Sequence, residues 1–157
     1  VPRIVPNLWF DTQGEEAAAF YVSIFPNSRI TAVSHYTEAG PGPAGSVVAV
    51  EFELDGQPHV AINGGPLFTF DEAVSLAVEC ADQAEVDHYW SRLTDGGSEG
   101  PCGWCKDRYG LSWQVVPTRW SELLRDPDRA RATRAMRALL GMGKIDIAAI
   151  EAAADGG

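Results

Sequence analysis

The chain has 157 residues, 45% hydrophobic and 22% charged, enough for one domain or two small packed halves with a real core. A formal charge of −10 sets the surface against phosphate backbones and anionic lipid heads, so neither nucleic acid nor a membrane is an expected partner. The apolar runs, such as Val47 to Val50, are far shorter than the ~20 residues a bilayer-spanning helix needs. Three cysteines make no disulfide framework, which points to a cytoplasmic location.

Ile4 to Phe10 reads as a strand, and Asp11-Thr12-Gln13-Gly14 as the turn after it. Glu15 to Phe25 then has helical spacing, with Ala17, Phe20, Tyr21 and Ile24 on one stripe and Pro26-Asn27 as the stop. Arg29 to Tyr36 predicts a strand, followed by an irregular, mobile loop over Ala39 to Gly45. Ser46 to Leu54 alternates cleanly, and Asp55-Gly56 is a two-residue hairpin signal leading into a strand over His59 to Asn63. Gly64-Gly65-Pro66 opens a connector that carries Phe68 and Phe70.

The second half starts with a strand over Ser75 to Cys80 and a helix capped by Asp82, with Val86, Tyr89, Trp90 and Leu93 at core spacing. Short strands near Gly103 to Asp107 and Leu111 to Val116 flank a turn at Arg108-Tyr109-Gly110. Both halves therefore run strand, Asp-bearing turn, helix with an aromatic pair (Phe20-Tyr21, Tyr89-Trp90), then Gly-turn strands, which suggests a duplicated βαβββ module. The tail predicts a helix with Asp126 as N-cap, Pro127 at the first helical position and Gly141 as stop, then a short helix opened by Asp146. Packing against the domain or a second subunit is the role these tail helices suggest.

Several segments carry a resemblance together. Leu8-Trp9-Phe10-Asp11, Phe25-Pro26-Asn27-Ser28, Asn63-Gly64-Gly65-Pro66, Asp82-Gln83-Ala84-Glu85, Lys106-Asp107-Arg108-Tyr109-Gly110 and Ser112-Trp113-Gln114 stand in order along the chain. In them the chain resembles PhnB-like proteins of the vicinal oxygen chelate (glyoxalase, bleomycin-resistance, dioxygenase) superfamily. The tail segment Lys144 to Ala149 looks like that family's closing helix. The resemblance implies an α+β fold in which two βαβββ modules form a curved mixed sheet around a cavity, commonly in a homodimer. Residues 1–117 would hold the paired modules (about 1–70 and 71–117), with 118–157 as a helical extension of the same domain. The family is often labelled a 3-demethylubiquinone-9 3-methyltransferase. A doubly wound methyltransferase, however, would need a Gly-rich turn between strand and helix, which Gly64-Gly65 and Gly96-Gly97 do not provide.

Alternation then sorts side chains between a helix-covered face and a cavity face. Leu8/Phe10, Val60/Ile62, Leu76/Val78 and Trp113/Val115 are expected under the helices. Asn7/Trp9, His59/Ala61/Asn63, Ser75/Ala77/Glu79 and Ser112/Gln114 are expected toward the cavity. Metal-dependent superfamily members hold a divalent ion with His and Glu. Carried over by position, the His at the start of the second module's first strand is Ser75, and the Glu four residues after the turn glycine is Gln114. A hydroxyl and a neutral amide are poor ligands, so no metal or other cofactor is expected, although the resemblance leaves a divalent ion possible. The expectation is a small-molecule site using Trp9, His59, Asn63, Phe70, Ser75, Glu79 and Gln114. The alternative is a lyase, isomerase or oxygenase with an atypical metal set, or with Glu79 and His59 as base and acid. Cys102-Gly103-Trp104-Cys105 lacks the following helix that would stabilise a thiolate, and reads as chance placement in a hairpin.

Overall fold

Each half of the chain builds the same elements in the same order, in a computed structural model that describes residues 1–157. The first unit, Val1–Phe70, holds β1 (Asn7–Phe10), α1 (Gly14–Ile24), β2 (Arg29–His35), β3 (Val47–Leu54) and β4 (Gln57–Asn63). Its sheet runs β1-β4-β3-β2, with β1 parallel to β4 and the other pairs antiparallel. The second unit, Asp71–Gly157, begins with β5 (Leu76–Cys80), α2 (Gln83–Thr94), β6 (Ser98–Glu99), β7 (Trp104–Lys106) and β8 (Ser112–Pro117). Its sheet runs β5-β8-β7-β6, again with one parallel pair between first and last strands. The strand permutation is identical, so the duplicated βαβββ module stands, as an α+β fold with two open mixed sheets.

In the first unit, α1 buries Ala17, Ala18, Tyr21 and Ile24. The small alanines let the helix lie close to the sheet, and Tyr21 stacks on Phe52 with ring centroids 6.2 Å apart. Asp55 and Gly56 adopt φ of 48° and 74°, the doubly positive pair of a tight hairpin turn between β3 and β4. The loop over Ala39 to Gly45 folds back on Tyr36, whose N–H donates to Ser46 O and whose carbonyl accepts from Gly45 N.

In the second unit, α2 buries Val86, Trp90 and Leu93. Asp82 caps it by accepting from Glu85 N at 2.9 Å, and Glu85 reaches back to accept from Ala81 N at 2.9 Å. The unit continues through α3 (Thr118–Leu124), α4 (Arg129–Leu140) and α5 (Ile147–Ala154). Leu123, Ala135, Leu139, Ile145, Ile150 and Ala154 form the core of these helices. Gln83 ties α2 to the tail, donating to Ile145 O at 3.0 Å and accepting from Ile147 N at 2.9 Å.

Two local expectations change, and one helix, α3, stands where none was expected. The N-cap of α4 is Asp128, which accepts from Ala130 N and Arg131 N, and not Asp126. Asp126 instead accepts from Asp128 N and from Arg131 Nε, holding the turn before the helix. Helix α3 carries no side-chain cap at its start, so no cap signal announces it in the sequence. The first strand is shorter than expected, starting at Asn7 and not at Ile4.

Candidate functional site

The face of the second sheet away from α2 gathers the polar residues of that unit. Cross-strand register places Ala77 beside Gln114, Trp104 beside Gln114, and Lys106 beside Ser112, while Leu76, Val78, Trp113 and Val115 alternate to the other side. Ser75 extends β5 on the open side, and Gln114 Nε2 donates to its hydroxyl at 3.0 Å. The expected alternation of β5 and β8 is what the structure shows. Glu79 is exposed on the same face, further along β5.

Next to this pair lies a cleft of about 140 Å³ lined by Glu72, Ser98, Glu99, Trp104, Lys106 and Ser112 among others. Lys106 Nζ pairs with the Glu72 carboxylate. The hydrogen bond from that ammonium holds the Glu72 carboxyl below the usual range. Ser112 is 1% exposed and its hydroxyl has no hydrogen-bond partner. An unpaired buried hydroxyl costs about 1–3 kcal/mol, so the position is notable. Sequence reasoning placed Ser112 on this face but passed over Lys106 and Glu72. The signal was available in the hairpin: with a turn at 108–110, Lys106 and Ser112 must sit opposite each other.

The first unit contains the correction. In β4 the alternation is the reverse of that expected: His59 and Ala61 are buried with Phe52 and Val50, while Val60 and Ile62 share the open face with Trp9. His59 stacks on Phe52 at 5.4 Å between ring centroids, and its Nδ1 lies 2.9 Å from Gln57 O. Asn63 is a structural tie, accepting from Gly14 N at 2.7 Å and donating to Val47 O at 3.2 Å. The physical reason is the closeness of α1. A Cβ on Gly14 would stand 3.4 Å from the Ala61 methyl, so β4 presents its smallest apolar residue there, and an asparagine where the helix needs an acceptor. Phe70 packs edge-on against buried Phe10 at 5.2 Å. Trp9 does lie on the open face, its Nε1 donating to Gly65 O at 2.9 Å and its ring edge-on to Phe68 at 5.1 Å. Its indole lies so tightly on Gly64 that a Cβ there would sit 2.4 Å away. His59 and Asn63 thus lie on the α1 side and Phe70 packs on Phe10, whereas Trp9 faces outward in its own sheet.

The Lys106-to-Gly110 motif resolves around Asp107, which is 2% exposed. Its carboxylate accepts from Tyr109 N at 2.8 Å, Leu111 N at 3.2 Å and Trp113 Nε1 at 2.8 Å, fixing the β7–β8 hairpin. Cys102 precedes β7 in a turn with φ of 59° and no helix follows it. Burial pushes the Cys105 and Cys80 thiols up to about 12, opposite to the direction a redox thiolate needs.

The donor set of the second sheet does not fit a divalent ion of the superfamily type. The two carried-over positions hold a serine and an amide joined by one hydrogen bond, His59 faces α1, and no group of three or more His, Cys, Asp or Glu side chains is placed to hold a metal.

Two βαβββ modules of one topology, each with an open sheet face, define the vicinal oxygen chelate class of fold. Comparison with known proteins agrees. Residues 2–116 match the family model described as 3-demethylubiquinone-9 3-methyltransferase, and the chain belongs to that family, the PhnB-like group of the superfamily. It is 35% identical to a PhnB protein from Bacillus cereus described as a putative member of the same family. That match covers 74% of this chain and 100% of the other, with a TM-score of 0.66. Protein PA1353 from Pseudomonas aeruginosa shares the fold at 20% identity, over 74% of this chain and 98% of its own, with a TM-score of 0.61. So does a variant of the fosfomycin resistance protein FosX from Listeria monocytogenes, in complex with Mn(II) and 1S,2S-dihydroxypropylphosphonic acid, at 17% identity. It is matched over 74% of this chain and 92% of its own, with a TM-score of 0.55. No curated protein matches. The family match ends before α3, so the tail helices lie beyond it. No helix is long and apolar enough to cross a membrane.

Proposed function

We propose that this PhnB-like protein binds a small polar molecule on the open face of its second sheet without the divalent ion used by metal-dependent relatives. One observation carries the proposal: Gln114 and Ser75, at the two positions where the superfamily resemblance expects metal ligands, are hydrogen-bonded to each other at 3.0 Å. An amide and a hydroxyl offer donors and acceptors that orient a neutral or anionic ligand but bind a hard or borderline cation poorly. Trp104 supplies an apolar wall on the same face, in register with Gln114. His59 drops out of this site because it faces α1, which also removes it as an acid for Glu79. The family name invites a methyl-transfer reading. Each sheet here has a single parallel strand pair and no Gly-rich strand-to-helix turn, so nothing in the fold favours it.

The test is elemental analysis after incubation with Mn, Fe, Co, Ni and Zn salts and desalting. It is paired with an amide chemical-shift screen of small polar metabolites. The expected result is no stoichiometric metal, and saturable shifts at Ser75 and Gln114 that vanish in Gln114→Ala. One metal per chain, lost in Gln114→Ala, would overturn the proposal and favour a lyase, isomerase or oxygenase. A homodimer belongs to the same proposal, supported by Leu67, Phe68 and Val74, which are 75%, 58% and 70% exposed. Light scattering should give twice the chain mass; the mass of a single chain would refute it.

A further inference from the structure

Charge is spread unevenly along this acidic chain. Residues 118–157 hold seven of the 12 Lys and Arg but only six of the 22 Asp and Glu, a net +1, which leaves −11 on residues 1–117. Four of those arginines stand on α4, and three of them are used inside the tail. Arg129 donates to Leu124 O and Asp126 O, Arg131 pairs with Asp126 and Asp155, and Arg134 donates to Ala154 O. Arg137 has no such partner. It stands on the outward stripe of the helix with Thr133, Met136 and Leu140, opposite buried Ala132, Ala135 and Leu139. Met136 and Leu140, one turn apart, are 41% and 65% exposed, although the inner side of α4 is already filled. The outer face of α4 is thus apolar and basic, takes no part in the tail's own packing, and lies beyond the family match, which ends at residue 116.

The complementary combination stands on the connector between the two modules. No Lys or Arg occurs between Arg29 and Arg92, a stretch with ten Asp and Glu. Within it the exposed Leu67, Phe68 and Val74 flank Asp71 in sequence, and the Asp71 carboxylate accepts only from Ala73 N. A strongly acidic chain repels a second copy of itself over most of its surface, and α4 is where that repulsion is lifted. We infer that the proposed homodimer is closed by docking the outward face of α4 of one protomer on residues 67–74 of its partner, and reciprocally. Met136 and Leu140 cover the connector's apolar residues, and Arg137 faces Asp71. A two-fold dimer makes this contact twice, which brings two modest patches toward the size of a specific interface, about 1,000 Å² or more. The inference rests on the proposed homodimer and names the surfaces that form it.

The test is sedimentation equilibrium of the full chain over a dilution series in about 0.1 M salt, where a charge is felt across ~10 Å. Wild type should fit a monomer–dimer equilibrium. Leu140→Glu and Leu67→Lys should each raise the dissociation constant at least tenfold, since each change is made twice per dimer. The double variant should return to within threefold of wild type, because the new carboxylate on one protomer meets the new ammonium on its partner. Both side chains are exposed, and unchanged urea midpoints confirm that each variant is folded. A loss from Leu67→Lys alone would pair the connector with itself, and a loss from Leu140→Glu alone would pair the tail with itself. Either result overturns the inference while the homodimer stands. So does a dimer that tolerates both changes, or a double variant as weak as the two losses combined. Wild type that sediments as a single chain at every concentration overturns the inference and the homodimer together.

Discussion

The two modules share one topology and hold their helices in place by opposite means. Helix α2 carries its own start signal, with Asp82 and Glu85 capping each other's backbone within one turn. Helix α1 has no side-chain cap from its N-cap residue, Gln13, and takes its acceptor from Asn63, almost fifty residues away on β4. The sheets differ in the same spirit. The first has strands of four to eight residues, whereas β6 and β7 of the second have two and three. These short strands are held by other means: buried Asp107 fixes the β7–β8 turn, and in the β6–β7 connection Met142 O and Gly143 O accept from Cys102 N and Gly103 N. The first module therefore depends on long-range ties within a full sheet. The second has local caps and an added helical layer, and its abbreviated hairpin leaves the space that becomes the cleft.

Thiol reactivity separates the two most strongly, because all three cysteines lie in the second module. With Cys80 and Cys105 raised from 9.0 to about 12, their thiolate fraction at pH 8 is about a thousandfold below that of the unfolded chain. Labelling kinetics at pH 8 in buffer and in urea should show that gap. The linked stability has a definite sign. Both values are raised by folding, so the contribution is complete below pH 9 and is lost as pH rises from 9 toward 12. Denaturant midpoints should fall over that window and hold steadier when both thiols are replaced by alanine or serine in a folded variant.

Next in size is the hairpin. Asp107→Ala leaves Trp113 Nε1 and two backbone amides without their acceptor, and is expected to cost about 3–4 kcal/mol in urea unfolding. Asn63→Ala in the first module removes two hydrogen bonds and is expected to cost about 2 kcal/mol. Asn63→Asp sharpens the latter. It keeps an acceptor for Gly14 N but loses the donor to Val47 O, so it should recover part of the loss.

The same contrast explains what the sequence made legible. In β5 and β8, apolar Leu76, Val78, Trp113 and Val115 alternate with Ser75, Ala77, Ser112 and Gln114, and period two reports the faces directly. In β4 the rule selects Val60 and Ile62 for the helix side because they are the larger apolar residues. The structure puts His59, Ala61 and Asn63 there, since a close helix needs a small contact and a polar tie, and each polar group is satisfied. No local pattern announces that, because the group Asn63 serves is on α1. The duplicated order of elements was legible from turns and aromatic pairs. The cleft was not, since Glu72 reaches Lys106 from a segment with no periodic pattern. The N-cap of α4 was misplaced because Asp126 and Asp128 carry the same signal, and only Asp128 has its carboxylate over the free amides.

The smallest effect tests the comparison at its root. If α2 is held by its own cap, removing that cap should cost only what a local cap is worth, about 1 kcal/mol for Asp82→Ala. Glu85→Ala removes the reciprocal half and should cost somewhat less, since the Ala81 amide it serves is at an exposed turn. The double variant should fall short of the sum, because each side chain positions the backbone the other one binds. Urea denaturation of the three variants measures this. A loss from Asp82→Ala as large as that from Asn63→Ala would mean that α2 also depends on its cap as a tertiary tie, and the contrast between modules would fail. A loss of about half that size or less supports it: the long-range acceptor fixes both a helix and a strand pair, whereas the local one fixes a helix end that Val86, Trp90 and Leu93 already hold against the sheet.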